Sequence, residues 1–129
     1  MSQKQKLSVY IKFTHSPDDI KYQLDPDLQY VATIEDQLVY EHFFDDGNIE
    51  FKIIADLIPT GKALVITKIK INDIDITNGI DRFGSYTTLK NKRKKTYGYM
   101  DEAGTYRIRI RHNVMYTQYM IYLLRHITQ

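Results

Sequence analysis

The stretch Gly104-Thr105-Tyr106-Arg107-Ile108-Arg109-Ile110-Arg111-His112 decides the fold of this 129-residue chain. Apolar and charged side chains alternate along it with a period of two, which is typical of a β-strand with one face on a core and one in solvent. We therefore predict that Ile108 and Ile110 are buried inside a sheet, whereas Arg109 is exposed.

Similar alternation, or strand-forming residues between turn signals, recurs along the rest of the chain. The predicted strands cover residues 7–13, 20–24, 29–34, 37–43, 49–55, 63–71, 74–76, 83–89 and 96–100. Glu35-Asp36 is predicted to be the tight turn of a hairpin, and Pro59-Thr60-Gly61 another turn. About eight or nine short strands at roughly ten-residue spacing predict an all-β fold, an antiparallel β-sandwich with jelly-roll-like layers.

Two segments carry more detailed predictions. The run 63–71 reads as one regular strand, with Val65, Thr67 and Ile69 on one face and lysines on the other. The C-terminal segment fits a final strand, but the spacing of its Tyr, Leu and Ile side chains also fits a short helical turn.

Length and composition favour one domain. We expect a flexible N-terminus over residues 1–6 and a single β-sandwich domain over 7–129. The chain has no cysteine, so no disulfide stabilises it. It shows neither the apolar core of a signal peptide nor a run approaching the ~20 apolar residues of a membrane span. We expect the protein to be soluble where it is made, with no membrane partner.

Charge is distributed unevenly along the chain. Residues 1–81 hold 8 basic and 14 acidic side chains (−6), whereas residues 82–129 hold 10 basic and 2 acidic side chains (+8), which sum to the net +2. Such asymmetry indicates an electrostatic partner. The positive part meets either a negative edge of another copy or of the same chain, or an external anion.

No catalytic motif stands out, and we predict no enzymatic activity, no catalytic residue and no cofactor. The serines lack a nucleophile elbow, and the four histidines lack metal-ligand spacing. Segments 45–48 and 72–75 carry the oxygen ligands that calcium takes, but Asp and Asn also form turns, and the turn interpretation is favoured.

A basic loop and an arginine ladder are the candidate binding features. The loop comprises Lys90, Lys92, Arg93, Lys94 and Lys95. It is either a solvated loop tip or a contact for phosphate, a sulfated glycan or an acidic neighbour. Nucleic acid is the least favoured of its partners.

The ladder consists of Arg107, Arg109 and Arg111 on one strand face. Like charges on one face repel, so either cross-strand carboxylates such as Glu50 or Asp56 or a partner should offset them.

Tyr97 and Tyr99 share a face of the segment before the ladder. If that segment pairs with the arginine strand, tyrosines and arginines adjoin and form a surface suited to sugars or to protein contacts. The alternative is that the two tyrosines belong to the core.

From residue 69 onwards the chain resembles a known family. The matching motifs are Ile69-Lys70-Ile71-Asn72-Asp73-Ile74-Asp75-Ile76, Tyr86, Tyr97-Gly98-Tyr99-Met100 and Ala103-Gly104-Thr105-Tyr106-Arg107-Ile108. They are similar to those of β-sandwich, carbohydrate-binding-like modules in proteins of tailed bacteriophages of marine cyanobacteria (cyanophages). Related modules often carry a tryptophan near the C-terminus, where this chain has tyrosines.

The resemblance implies a non-enzymatic structural or accessory protein of a phage virion, in the tail, baseplate or capsid surface. Such a protein would be assembled in the host cytoplasm and would dock other virion proteins or further copies of itself through its charge-asymmetric surface. The alternative is a carbohydrate-binding module that recognises glycans. A third hypothesis is a protein that contacts nucleic acid through the basic loop.

Overall fold

Two antiparallel sheets form the protein in a computed structural model that describes residues 5–14, 19–44, 49–80, 84–94 and 97–110. Sheet A has the strand order β10-β6-β1-β4-β3, and β7 pairs with β6. Its strands are β1 (Gln5–Phe13), β3 (Gln29–Ile34), β4 (Gln37–Phe44), β6 (Leu64–Ile71), β7 (Ile74–Asp75) and β10 (Tyr99–Met100).

Sheet B has the strand order β2-β5-β11-β8-β9. Its strands are β2 (Lys21–Asp25), β5 (Ile49–Leu57), β8 (Gly84–Thr88), β9 (Arg93–Lys94) and β11 (Gly104–Ile110). A 3₁₀ turn, Thr77–Gly79, follows β7. The predicted all-β antiparallel sandwich is confirmed. Eleven strands are described, and three of them (β7, β9 and β10) have two residues each, which leaves eight longer ones.

The core lies between the sheets and takes one side of β1, β5, β6, β8 and β11, whereas the edge strand β3 buries no side chain. β11 is central in sheet B, between β5 and β8, and it buries Ile108 and Ile110 while Arg109 stays exposed. These burial predictions are confirmed. Val9 and Ile69 of sheet A are fully buried in the same cluster as Ile108 and Ile110. Because burying one such side chain contributes about 1.5–3 kcal/mol, this shared cluster is the main source of stability.

Three predicted turns have the backbone that their residues favour. Glu35 and Asp36 both adopt positive φ and join β3 to β4 with Ile34 opposite Gln37, as a two-residue hairpin requires. In the turn 59–62, the N–H of Lys62 donates to the carbonyl of Pro59 while Gly61 has φ +85°. Asn72 and Asp73, again with positive φ, close the hairpin between β6 and β7.

The prediction of one regular strand over 63–71 is wrong at Thr67. Lys68 lies opposite Tyr10, but the next pair is Ile66 with Ile11, so Thr67 is an extra residue in β6. Such a β-bulge reverses which side chains face inward. Ile66 rather than Val65 therefore shares the buried face with Ile69.

Several predictions fall on residues outside the described ranges. These are the C-terminal strand or helical turn after 110 and the candidate calcium segment 45–48. Within the ranges that are described, no helix has the length and apolarity needed to cross a bilayer.

Candidate functional site

The outer face of sheet B carries the described part of the arginine ladder. In the register, Arg109 lies opposite Glu50, and Arg107 lies opposite Lys52 on one side and Ser85 on the other. The two oxygens of Glu50 contact the two guanidinium groups, each at 3.4 Å. One carboxylate thus serves two arginines, as the sequence suggested for Glu50. Arg111 lies outside the described residues.

The tyrosines do not adjoin the arginines. The strand that contains Tyr99, β10, pairs with β6 in sheet A, where Tyr99 lies opposite Val65. The conditional prediction that this segment pairs with β11 is therefore wrong. Tyr97 has φ +50° and forms a turn with Gly98, whose backbone lies so close to the carbonyl of Ile66 that a Cβ would meet it at 2.7 Å. Both rings are exposed, so neither belongs to the core.

The described residues of the basic run 90–95 do not share one environment. Lys94 lies opposite Tyr86 and Arg93 opposite Thr87, because the run enters strand β9 beside β8. Alternate residues of a strand point to opposite sides. Lys90 and Lys92 are exposed in the turn between β8 and β9, as the interpretation as a solvated loop tip predicted, whereas Arg93 and Lys94 belong to β9. Lys95 lies outside the described residues.

A depression of about 320 Å³ opens on the outer face of sheet B, and we call it the cationic depression. Its lining consists of Lys52, Ile54, Ser85, Thr87, Arg93, Thr105 and Arg107. These residues come from β5, β11, β8 and β9, which are successive neighbours in the sheet. The lining combines three cations and three hydroxyl groups with no carboxylate, so its chemistry suits an anion.

A second concavity, the end cleft, lies at one end of the sandwich and measures about 600 Å³. Three connecting segments line it together with Tyr99: residues 58–62 before β6, residues 89–90 after β8, and residues 101–103 before β11. The N–H of Leu89 donates to the carbonyl of Ala103 (3.0 Å) and joins two of these segments. The cleft size falls within the range of small-ligand sites, about 300–1,000 Å³.

Asp101 and Glu102 form one wall of the end cleft, which we call the acidic wall, and the buried Tyr86 holds it in place. The hydroxyl of Tyr86 accepts a hydrogen bond from the N–H of Glu102 (2.9 Å) and donates one to the carbonyl of the same residue. Burial raises the pKa of Tyr86, so the hydroxyl keeps the proton that it donates. Its ring stacks on Tyr106 with 5.8 Å between centroids, which holds the turn to the core.

Lys94 positions the two carboxylates of this wall. Its ammonium group contacts Glu102 at 2.9 Å and Asp101 at 3.2 Å. The hydrogen bonds to Glu102 and then to Asp101 raise the pKa of Lys94 above its ordinary value. Both carboxylates remain partly exposed to the cleft and keep further lone pairs for a ligand.

The remaining lining of the end cleft is mixed in polarity. The side chains of Tyr99 and Leu89 supply exposed apolar surface, with 42% and 72% of each residue accessible. Lys90, Thr60 and Lys62 supply donors, although the ammonium of Lys62 also pairs with Asp19 at 2.8 Å. This pairing lowers the pKa of the Asp19 carboxyl. An aromatic surface surrounded by donors and acceptors can bind an uncharged polyhydroxyl compound.

The 72–75 segment, considered above for calcium, uses its carboxylates within the fold. Asp73 contacts the ammonium of Lys6 at 2.9 Å. Asp75 accepts hydrogen bonds from the backbone N–H (2.8 Å) and hydroxyl (2.5 Å) of Thr77. Across the described residues, no three His, Asp or Glu side chains are grouped as metal ligands would be.

Sequence reasoning missed both concavities. Each is lined by residues from segments that lie far apart in the chain, so no local sequence motif predicts it. Ser85 and Thr87 alternate with Tyr86, which is buried in β8. This alternation could have predicted that the two hydroxyl groups lie on the outward side of the strand. The pairing of these residues with Thr105 and Arg107 required the sheet order.

Comparisons with known proteins give one structural similarity. No family model matches the chain, and no curated protein matches it. Among solved structures, the fold is similar to that titled "vCBM60 in complex with galactobiose", a carbohydrate-binding module. The identity is 13%, the match covers 82% of this chain and 97% of that chain, and the TM-score is 0.49. Similarity of this degree assigns neither a family nor a ligand to this chain.

Proposed function

We propose that this domain is a non-catalytic binding module that holds a carbohydrate in the end cleft. The observation that carries the proposal is the exposed ring of Tyr99 beside the carboxylates of Asp101 and Glu102 in a cleft of about 600 Å³. A sugar ring has an apolar C–H face and a rim of hydroxyl groups. The cleft offers an apolar surface for the first and acceptors and donors for the second.

The rigidity of the cleft supports a binding role. The acidic wall is held by Tyr86 and Lys94, and the turn before Tyr99 is held where the hydroxyl of Tyr106 accepts a hydrogen bond from the N–H of Gly98 (2.8 Å). A preformed site loses little conformational entropy when a ligand binds, so more of the interaction energy appears as affinity.

The geometry favours binding over hydrolysis. Glycosidases place two carboxyl groups on either side of the bond that they cleave. Here Asp101 and Glu102 are consecutive residues on one wall, and both contact the same ammonium group of Lys94. They are therefore suited to accept hydrogen bonds from sugar hydroxyls.

An array of neutral oligosaccharides, followed by calorimetry with the best binder, tests this function. We expect Tyr99→Ala to reduce affinity about tenfold, since aromatic contacts contribute up to about 1.5 kcal/mol. Tyr97→Ala is the matched control because Tyr97 is also exposed but does not line the cleft. An array without binders, or equal losses in both variants, would contradict the proposal.

A second candidate function is docking to neighbouring subunits, in a phage virion as the sequence resemblance implies, through the outer side of β11 with Arg107 and Arg109, which we call the arginine face. The observation that favours it is that Glu50 is shared by Arg107 and Arg109, which leaves this face with excess positive charge. Exposed charges of this kind steer and orient partners more than they stabilise a fold.

Sedimentation at low and high salt tests docking, with purified virion proteins as partners. Association is expected to weaken with salt and to weaken further when Arg107 and Arg109 are both replaced by serine. Replacing Lys68 and Lys70 of sheet A by serine removes the same charge and should leave association unchanged. Salt-independent behaviour, or equal effects of both double variants, would reject docking through this face. Mass spectrometry of purified virions separately tests the virion location.

A further inference from the structure

We propose that the cationic depression is a binding site for a sulfate ester group of an anionic carbohydrate. The proposal deepens the carbohydrate-binding function and rests on it, because the carrier of the ester is a sugar. The depression is a separate surface from the end cleft, and the two linings share no residue. It therefore adds a charge requirement to a ligand that the cleft would otherwise recognise only as a polyhydroxyl compound.

The register brings the cations of the depression together. Arg107 lies directly opposite Lys52, and Thr87, one strand further, lies directly opposite Arg93. Neighbouring strands are about 4.8 Å apart, so these three long side chains can converge over the strands between them. Arg107 also lies opposite Ser85, whose hydroxyl lines the same depression.

The pairing of Arg107 with Lys52 is electrostatically unfavourable in the protein by itself. Like charges directly opposite each other on adjacent strands destabilise a sheet. Lys52 also lies opposite Asp25, and Arg107 contacts Glu50 at 3.4 Å, but no carboxylate lines the depression. An anion between the cations would convert their repulsion into two charge-assisted contacts.

The hydroxyl groups complete a site for a tetrahedral oxyanion. The side chains of Ser85, Thr87 and Thr105 make no hydrogen bond to another described residue, so their O–H groups are available as donors. A sulfate ester presents three oxygens that accept from a guanidinium fork, an ammonium group and hydroxyls together. Phosphate esters share this chemistry, and competition with inorganic sulfate and inorganic phosphate distinguishes the two groups.

The depression lies within reach of the end cleft. Thr87, which lines the depression, lies in β8, and Leu89, which lines the cleft, is the first residue of the turn after that strand. The inference requires a carbohydrate chain with one ring on Tyr99 to pass Leu89 and bring a substituent to Arg93.

Calorimetry with a sulfated oligosaccharide and its desulfated counterpart, on a backbone that binds in the array, tests the inference. We expect the sulfated form to bind at least about tenfold more tightly at physiological salt, since hydrogen bonds to charged groups are strong. Replacing Lys52 and Arg93 together by glutamine should abolish that preference and leave binding of the desulfated form unchanged. The control double variant, Lys12→Gln with Lys21→Gln, removes the same charge from exposed positions outside both linings.

The outcomes separate this inference from the carbohydrate-binding function. If the desulfated form binds and sulfation adds nothing, the cleft function stands and the inference is overturned. Equal losses in the two double variants would indicate a diffuse charge effect and would also overturn it. If no oligosaccharide binds but NMR titration shows that inorganic sulfate binds the wild type and not the Lys52/Arg93 variant, the anion site stands and the cleft function fails.

Two further probes test the carrier. A DNA fragment or an acidic peptide that binds through Lys52 and Arg93 more tightly than the sulfated oligosaccharide would overturn the assignment to carbohydrate. Inorganic phosphate at matched ionic strength shows whether the depression distinguishes sulfate from phosphate. If phosphate displaces the sulfated oligosaccharide at lower concentration than inorganic sulfate does, the assignment to a sulfate ester is overturned.

Discussion

The outer faces of the two sheets both carry several cations, but they surround those cations differently. On sheet A, the ammonium groups of Lys68 and Lys70 lie 5.3 and 5.4 Å from the ring centroid of Tyr10. Lys6 contacts Asp73 at 2.9 Å and Glu41 at 3.9 Å. Each of these cations therefore has a partner within the fold.

On sheet B, partners within the fold are fewer. Glu50 is shared between two arginines, and the lining of the cationic depression contains no carboxylate. Neither Lys52 nor Arg93 makes an ion pair with a described residue. Sheet A therefore offsets the charges of Lys6, Lys68 and Lys70 within the fold, although not that of Lys12, whereas sheet B leaves Lys52 and Arg93 available to a ligand.

The largest effect that tests this comparison concerns the two sides of β11. Ile108→Ala removes a fully buried side chain between the sheets and should lower the free energy of unfolding by about 2–5 kcal/mol. Arg107→Ala on the outer side should change it by less than about 1 kcal/mol, because exposed ion pairs contribute little. Chemical denaturation of both variants measures the difference, and similar losses would contradict the assignment of inner and outer sides.

The division between those two sides could be predicted from the sequence, because it depends only on local alternation. Ile108 and Arg109 follow the period of two, and the two-residue hairpin at Glu35-Asp36 was recognisable from its turn residues. In both cases the determining interactions lie within a few residues of one another in the chain.

Predictions failed where the deciding interaction is distant in the chain. The bulge at Thr67 lies in the register with β1, where the hydroxyl of Thr67 donates a hydrogen bond to the carbonyl of Tyr10 (3.3 Å), 57 residues away in the chain. The residues around Tyr99 did not show that its strand joins sheet A, because β10 pairs with β6, which lies about thirty residues earlier in the chain. The end cleft could not be predicted for the same reason, because three connections that lie far apart in the sequence line it.

A smaller effect compares matched threonines on the two outer faces. On sheet A, the hydroxyl of Thr67 hydrogen-bonds to the carbonyl of Tyr10 and to the side chain of Gln37. On sheet B, Thr105 is equally half-buried, but its side chain makes no hydrogen bond to a described residue.

The substitution Thr→Val keeps the shape of the side chain and removes its hydroxyl at either position. Thr67→Val should lower the free energy of unfolding by about 0.5–1.5 kcal/mol, the typical contribution of a hydrogen bond. Thr105→Val should be close to neutral, since valine also favours strands. Thermal and chemical denaturation of the pair provide the measurement. A Thr105→Val variant that loses as much as Thr67→Val would show that the sheet B hydroxyl is already used in the free protein.

The smallest effect is the pH dependence of the ion pair between Lys6 and Asp73 on sheet A. The hydrogen bond from Lys6 and then its charge lower the pKa of the Asp73 carboxyl, and the same contact raises the pKa of Lys6. A lowered carboxyl pKa contributes stability above the unfolded value of about 3.9, and this contribution is lost as pH falls through the folded value. A raised lysine pKa contributes stability below about 10.4, and this is lost as pH rises through the folded value.

The ion pair should therefore stabilise sheet A between about pH 4 and pH 10 and weaken outside that window. NMR titration of the Asp73 carboxyl carbon should give a pKa below the ordinary value in the wild type. Lys6→Gln should return it toward that value, whereas Lys12→Gln, on the same strand but without an ion pair to a described residue, should not. If Asp73 titrates at its ordinary pKa in the wild type, Lys6 is not compensated in solution. The contrast between the two faces would then rest on Lys68 and Lys70 alone.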